Sequence, residues 1–217
     1  MEMTLYHYLH CPFCVRVRLA AGFLGQRYTS RVLAYDDETT PLKLTGKKML
    51  PIALIDGEAM NESLDIIQKI DTRDSLKIPS ALRSDDYIKL STFIDQISKP
   101  LHSLVMPYWI FTPEFSPSAR KYFQSKKEEK RGPFKKLVSQ RLILEQEIHE
   151  HLKKLREFSF LNLKSDDVHF YDILLASHLW GLYVVPEFQF SPELHAYLQK
   201  IKRTCSFDYF EGLGDFL

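Results

Sequence analysis

Cysteine is scarce in this chain, with three in 217 residues. Small secreted domains stapled by disulfides carry many more, so such a scaffold is excluded and a reducing compartment is expected. Charge of one sign is also missing. Lys and Arg number 29 against 28 Asp and Glu, a formal net charge of +1, and no global field points to nucleic acid. Long hydrophobic runs are absent too. The longest uncharged stretch, Ile173 to Pro186, is too short for a membrane span and contains His178, so it reads as a buried helix. The start, Met1-Glu2-Met3-Thr4-Leu5, has neither the basic region nor the apolar core of a signal peptide, and a cytoplasmic protein is expected. With 45% hydrophobic and 26% charged residues, the chain can bury the core of one large or two small domains without a metal or disulfide staple.

Two of the three cysteines fall in one short stretch, His10-Cys11-Pro12-Phe13-Cys14. Ahead of it, Leu5, His7 and Leu9 alternate with Thr4, Tyr6 and Tyr8, the period of a strand. Behind it, Val15, Leu19, Ala20, Phe23 and Leu24 recur at helical spacing, with Gly25 as a stop. Cys11 is thus predicted at a helix N-cap, with Pro12 at the first helical position, where its fixed φ suits the helix. There its sulfur meets the unpaired N–H groups of Phe13 and Cys14 and the positive end of the helix dipole. Both favour thiolate. Sites of this kind lower a cysteine from about 8.5 to roughly 3.5–7.5. Cys14, one turn inside, is expected to keep an ordinary pKa and to resolve a mixed disulfide formed on Cys11. His10 would raise the thiolate fraction when protonated, unless it points to solvent. Cys205 reads as buried filler.

Two other readings fit the same residues. His7, His10, Cys11 and Cys14 together offer four zinc ligands, although strand alternation sends His7 and His10 to opposite faces. The pair could also be two structural core cysteines.

Arg27 to Tyr35 reads as a second strand, parallel to the first through a right-handed crossover. A short helix is expected over Pro41 to Leu44, stopped by Gly46, then a strand over Met49 to Ile55, a turn at Asp56-Gly57 and a returning strand Glu58 to Met60. Asn61 is expected to cap a helix running to Ile70. The order β-α-β-α-β-β-α gives one mixed sheet covered by helices. The polar stretch Asp71 to Ser80 breaks the pattern, and no convincing strand follows. Tyr87, Leu90, Ile94, Ile97, Leu101 and Leu104 describe a long helix that Pro100 should kink. Ser116-Pro117 and Ser191-Pro192 each open another helix, and Leu144 to Leu155 forms a further one. Lys126 to Arg131 mixes signs and reads as a solvated face. The fold class is therefore α/β plus all-α: residues 1–71, a linker at 72–82, and a helical domain over 83–217.

The Cys11-Pro12-Phe13-Cys14 helix start, Leu50-Pro51 before a strand, Glu62-Ser63 at a helix start and the helical second half resemble the glutathione transferase superfold. More closely, with Ser118-Ala119-Arg120-Lys121-Tyr122-Phe123 and Lys126-Lys127-Glu128, nearly the whole chain resembles the two-domain bacterial type-2 glutaredoxins. The resemblance implies a thioredoxin-like first domain, Pro51 as its cis-proline, and the Leu50 backbone pairing with the cysteinyl part of glutathione. It also implies that Glu62 and Ser63 hold the γ-glutamyl end, and Lys48 or Lys47 the glycyl carboxylate. Physics agrees for Glu62 and Ser63, since a helix start suits a carboxylate and Glu62 can accept from an ammonium. Glutathione is then co-substrate, with no metal. The partners are glutathionylated or disulfide-bonded proteins and, indirectly, the glutathione reductase system, and the protein is a monomer.

Two departures stand out. The Ser/Thr-x-x-Asp box of the transferases is His169-x-x-Asp172 here, which puts initiation of that helix in question, and the glutaredoxin Pro-Tyr dipeptide is Pro12-Phe13. The expected activity is glutathione-dependent thiol–disulfide exchange. Its rivals are a cysteine-type glutathione transferase or dehydroascorbate reductase, which needs Cys11 but not Cys14, and an iron–sulfur or regulatory module.

Overall fold

The computed structural model describes residues 1–161, 163, 165 and 167–209. The chain begins with β1 (Met3–His7), α1 (Pro12–Phe23), β2 (Thr29–Val32), α2 (Thr39–Thr45), β3 (Ile52–Ile55), β4 (Glu58–Met60) and α3 (Ser63–Ile70). The sheet order is β2-β1-β3-β4, with β1 parallel to β2 and antiparallel to β3. The expected topology holds, and the differences lie at the element ends. β1 stops at His7, two residues early, because the Tyr8 N–H turns to the Cys14 sulfur instead of a neighbouring strand. β2 is shorter than Arg27 to Tyr35 and exposed throughout, as suits the sheet edge. β3 starts only at Ile52, since Leu50-Pro51 is a cis peptide outside the ladder. Gly46 ends α2 in the left-handed region, at φ 70°.

Residues 71–80 are more ordered than a plain linker. The Asp71 carboxylate accepts from the N–H groups of Ser75 and Leu76, and a short helix, α4 (Ile78–Ala81), buries Ile78. α5 (Asp85–Trp109) is capped by Ser84, whose hydroxyl accepts from the Tyr87 N–H. It passes through both Pro100 and Pro107 as one helix; each removes a backbone bond without ending it. α6 (Pro117–Arg131) and α10 (Pro192–Thr204) begin at the expected Ser-Pro pairs. Between them lie α7 (Phe134–Ser139), α8 (Arg141–Lys153), α9 (Phe170–Leu179) and two 3₁₀ turns. α9 initiates without a hydroxyl box: the Asp172 carboxylate accepts from the His169 N–H at 2.7 Å and from the Tyr197 hydroxyl at 2.7 Å. Residues 210–217, the end of the expected helical domain, lie outside the described residues.

One continuous core joins the two halves, because α1 packs against α3 on the sheet side and against α9 and α10 on the helical side. The two tryptophans, Trp109 and Trp180, stack in this core with ring planes 5° apart. Cys205 is buried in the same core, as expected, and burial pushes its thiol up to about 12. Among the described residues no helix is long and apolar enough to cross a membrane.

Gly22 in α1 lies against the Cys205 backbone, where an added Cβ would overlap the Cys205 carbonyl. Gly to Ala in a helix ordinarily stabilises by about 1 kcal/mol. Here the sign reverses: Gly22→Ala should cost about 1–3 kcal/mol, the usual penalty of overpacking, read as a lower denaturation midpoint.

Candidate active site

The N-terminus of α1 is the focus of the site. Cys11 is its N-cap residue in an extended conformation (φ −73°, ψ 122°), and Pro12 occupies the first helical position. Cys11 is half-buried, whereas Cys14, Leu50, Ile52 and Tyr8 form a small buried cluster beneath it. The Cys11 thiol is held down at about 6. The largest contribution comes from the Cys14 thiol bonding toward it; burial opposes ionisation, and the charge of His10 and the N–H groups of Cys14 and Phe13 favour it. The order of causes differs from the sequence expectation, which put the amides first. Cys11 makes no capping bond of full geometry, and those amides contribute as weaker donors facing its sulfur. Cys14 does not keep an ordinary pKa. Its burial and the neighbouring Cys11 thiolate raise it well above the usual range. The two sulfurs therefore form an asymmetric pair: one exposed enough to attack, the other a buried proton holder.

The histidines fall apart from each other, as strand alternation requires. His7 Nε2 bonds to Ser30 Oγ at 2.8 Å, while His10 Nδ1 bonds to Glu114 Oε1 at 2.8 Å. His10 does not point to solvent. Its ring stacks on Tyr8, with centroids 5.3 Å apart, and is enclosed by Tyr35, Trp109, Phe115 and Phe123. Among the described residues, no three His, Cys, Asp or Glu side chains converge as a metal site.

Leu50 packs with the cysteines and is joined to Pro51 by the cis bond. Glu62, not Asn61, is the N-cap of α3; its side chain is exposed and makes no cap bond. Ser63 is buried as the first helical residue and its hydroxyl accepts from Arg16 Nη1 at 3.4 Å. Both line a cleft of about 580 Å³ between the halves, together with Phe13, Arg16, His102 and His178. Lys47 is exposed. Lys48 pairs with Glu38 at 3.1 Å and lies over the Tyr122 ring. Lys127, read from sequence as part of a solvated face, is half-buried over Tyr35 and Phe123; burial and the neighbouring Lys130 and Arg131 lower its pKa, and Cys11 opposes them.

Arg16 and Glu114 escaped the sequence reading. Arg16 is buried, donates to His178 Nε2 at 3.3 Å, and has no carboxylate partner among the described residues. An acidic residue between Pro113 and Phe115, in an aromatic stretch, was the available signal for Glu114.

Residues 89–211 match the family described as glutaredoxin 2, C-terminal domain, and residues 5–77 match the N-terminal domain of glutathione S-transferases. Glutaredoxin 2 of Escherichia coli K12 is 31% identical over 182 residues, covering 79% of this chain and 83% of that protein. This chain belongs to the glutaredoxin 2 family. The glutaredoxin 2 of Salmonella typhimurium, solved in complex with glutathione, superposes with a TM-score of 0.85 at 26% identity, over 98% of this chain and 99% of that one. A glutathione transferase from Phanerochaete chrysosporium superposes at 0.76 with 15% identity, over 96% and 98% of the two chains, and shares the fold. The family resemblance read from Cys11 to Cys14, Leu50-Pro51 and the Ser118 to Glu128 segment is thus correct.

The Cys11 value fixes a pH response. Alkylation of Cys11 should follow an apparent pKa of about 6, with Cys14 unmodified under native conditions. Because the folded thiol is lowered, the reduced protein should gain stability as pH rises from about 6 toward the ordinary thiol value, and lose it as pH falls back through 6. Denaturant midpoints of wild type and Cys11→Ser across that range measure the difference.

Proposed function

We propose that the chain catalyses glutathione-dependent thiol–disulfide exchange through Cys11 and Cys14, and the observation that carries this is their asymmetry at the start of α1. Exchange needs a nucleophile that is ionised yet basic enough to attack, and a thiol that leaves well; one sulfur with a pKa near 6 serves both steps. With a glutathionylated substrate, the Cys11 thiolate attacks the glutathionyl sulfur, the substrate leaves as thiolate, and Cys11 carries the glutathione. A second glutathione thiolate attacks that sulfur, releasing glutathione disulfide and restoring Cys11. With a protein disulfide, the mixed disulfide forms between Cys11 and the protein. Cys14 gives up its proton, attacks the Cys11 sulfur and expels the protein thiolate, and two glutathiones then reduce the Cys11–Cys14 disulfide. The second cysteine has no task in the transferase or dehydroascorbate reading.

Glutathione lies, in this reading, with its cysteinyl backbone against Leu50 before cis-Pro51 and its γ-glutamyl end at Glu62 and Ser63. The α3 N-terminus and the buried Arg16 beside Ser63 supply positive charge for the carboxylate. Lys48 meets the glycyl carboxylate by leaving Glu38. Residues 1–71 form the thioredoxin-like domain and 83–217 the helical one, joined by 72–82. The protein works as a cytoplasmic monomer, its partners being glutathionylated and disulfide-bonded proteins, with glutathione reductase returning the glutathione disulfide.

Reduction of a small glutathione mixed disulfide, coupled to glutathione reductase, tests the assignment. Cys11→Ser should abolish turnover, whereas Cys14→Ser should keep much of it and lose reduction of protein disulfides. Activity that survives Cys11→Ser would overturn the proposal. Ser63→Ala should raise KM for glutathione roughly ten- to a hundredfold, the loss of one hydrogen bond to a charged group, with kcat little changed.

A further inference from the structure

Glu114 sits in the turn between α5 and α6, in the helical half, yet its Oε1 makes two bonds to the residue before Cys11. One oxygen, Oε1, accepts from the His10 backbone N–H at 3.0 Å and from its ring Nδ1 at 2.8 Å. The Glu114 side chain is 0% exposed, and its second oxygen is buried near the Thr112 hydroxyl, which donates to the Trp109 carbonyl, and makes no bond of full geometry. A fully buried carboxylate is expensive, and an apolar residue would seal the same aromatic box at lower cost. The grip on both the main chain and the ring of His10 fixes the peptide that carries Cys11 and the ring whose charge acts on its sulfur.

We propose that Glu114 is an interdomain positioning residue for the attacking thiolate, holding His10 so that its ring and the Cys11 peptide keep one arrangement beside the sulfur. This rests on Cys11 being the attacking group. The other ionisable groups coupled to Cys11 or His10 are Cys14, Tyr8 and Arg16 on the sheet side, Tyr35 after β2, His102 on α5 and Lys127 on α6. None of them bonds to the His10 backbone.

The sign of the effect separates this role from its rivals. A carboxylate acting directly on a nearby sulfur favours the thiol, so its removal would lower the Cys11 pKa. A carboxylate that merely glues the halves together would change stability and leave the Cys11 profile alone. A positioning carboxylate predicts a rise.

The experiment is the pH profile of Cys11 alkylation by iodoacetamide in the full chain, located by peptide mass spectrometry, for wild type, Glu114→Gln, His10→Asn and the double variant. Glu114→Gln should raise the apparent pKa by roughly one unit, the lower end of the usual effect of a nearby charge, with native circular dichroism. In the His10→Asn background the same substitution should add nothing, because the carboxylate acts through that ring and peptide. An unchanged or lowered profile in folded Glu114→Gln overturns the proposal, as does an effect that persists without His10. Should Glu114→Gln fail to fold, Glu114→Asp takes its place, with a smaller rise expected and an unchanged profile counting against. A wild-type profile at the ordinary thiol value would overturn the reading of Cys11 itself, independently of Glu114.

Discussion

Helix α1 has to satisfy two demands at once. Its N-terminus must hold a sulfur at the surface, and its flanks must be buried against both halves of the molecule. The sequence meets the first with Cys11-Pro12 and the second with Val15, Val17, Leu19, Ala20 and Ala21, all inaccessible. Gly22, pressed on the Cys205 backbone, marks how closely the last turn approaches the helical half. Because α1 is clamped along its length, the direction of its dipole and the positions of its first amides are set by packing. The thiolate is thus a property of the whole core and of more than a short motif.

Much of this was legible in the chain because the signals were local. Proline just after the cap position marked the starts of α1, α6 and α10, Gly46 ended α2, and Asp56-Gly57 gave the hairpin. Periodicity drew β1 and α5. The illegible part was non-local. Nothing near Cys14 in sequence says that Tyr8, Leu50 and Ile52 will enclose it, so its raised pKa was missed. The same holds for Glu114, which meets its partner 104 residues away, and for Arg16, which meets His178 162 residues away. The cap of α3 falls at Glu62 against the propensity that favours Asn61, with Glu62 in the extended conformation before Ser63 and no side-chain cap bond formed.

The boundary between the halves is unusually polar for a core. Arg16 leans on His178 and Ser63, His102 keeps an unpartnered nitrogen, and Glu114 closes the far side under His10. Each such group costs desolvation energy, commonly a few kcal/mol when left unpaired. These polar groups gather around the cleft that Arg16, Ser63, His102 and His178 line and around the residue next to Cys11. Burial here strengthens every electrostatic interaction the site uses, since the surrounding medium screens weakly.

The stacked pair Trp109 and Trp180 gives the molecule an optical property that follows from composition and place together. The chain has two tryptophans in all, both buried in one stack, with the Trp109 ring 5.4 Å from that of His10. Its tryptophan emission therefore originates from one spot, beneath the loop that carries Cys11. A disulfide closing above that spot would lie close to the source of the whole tryptophan signal, which makes emission a label-free measure of whether the Cys11–Cys14 pair is open or closed.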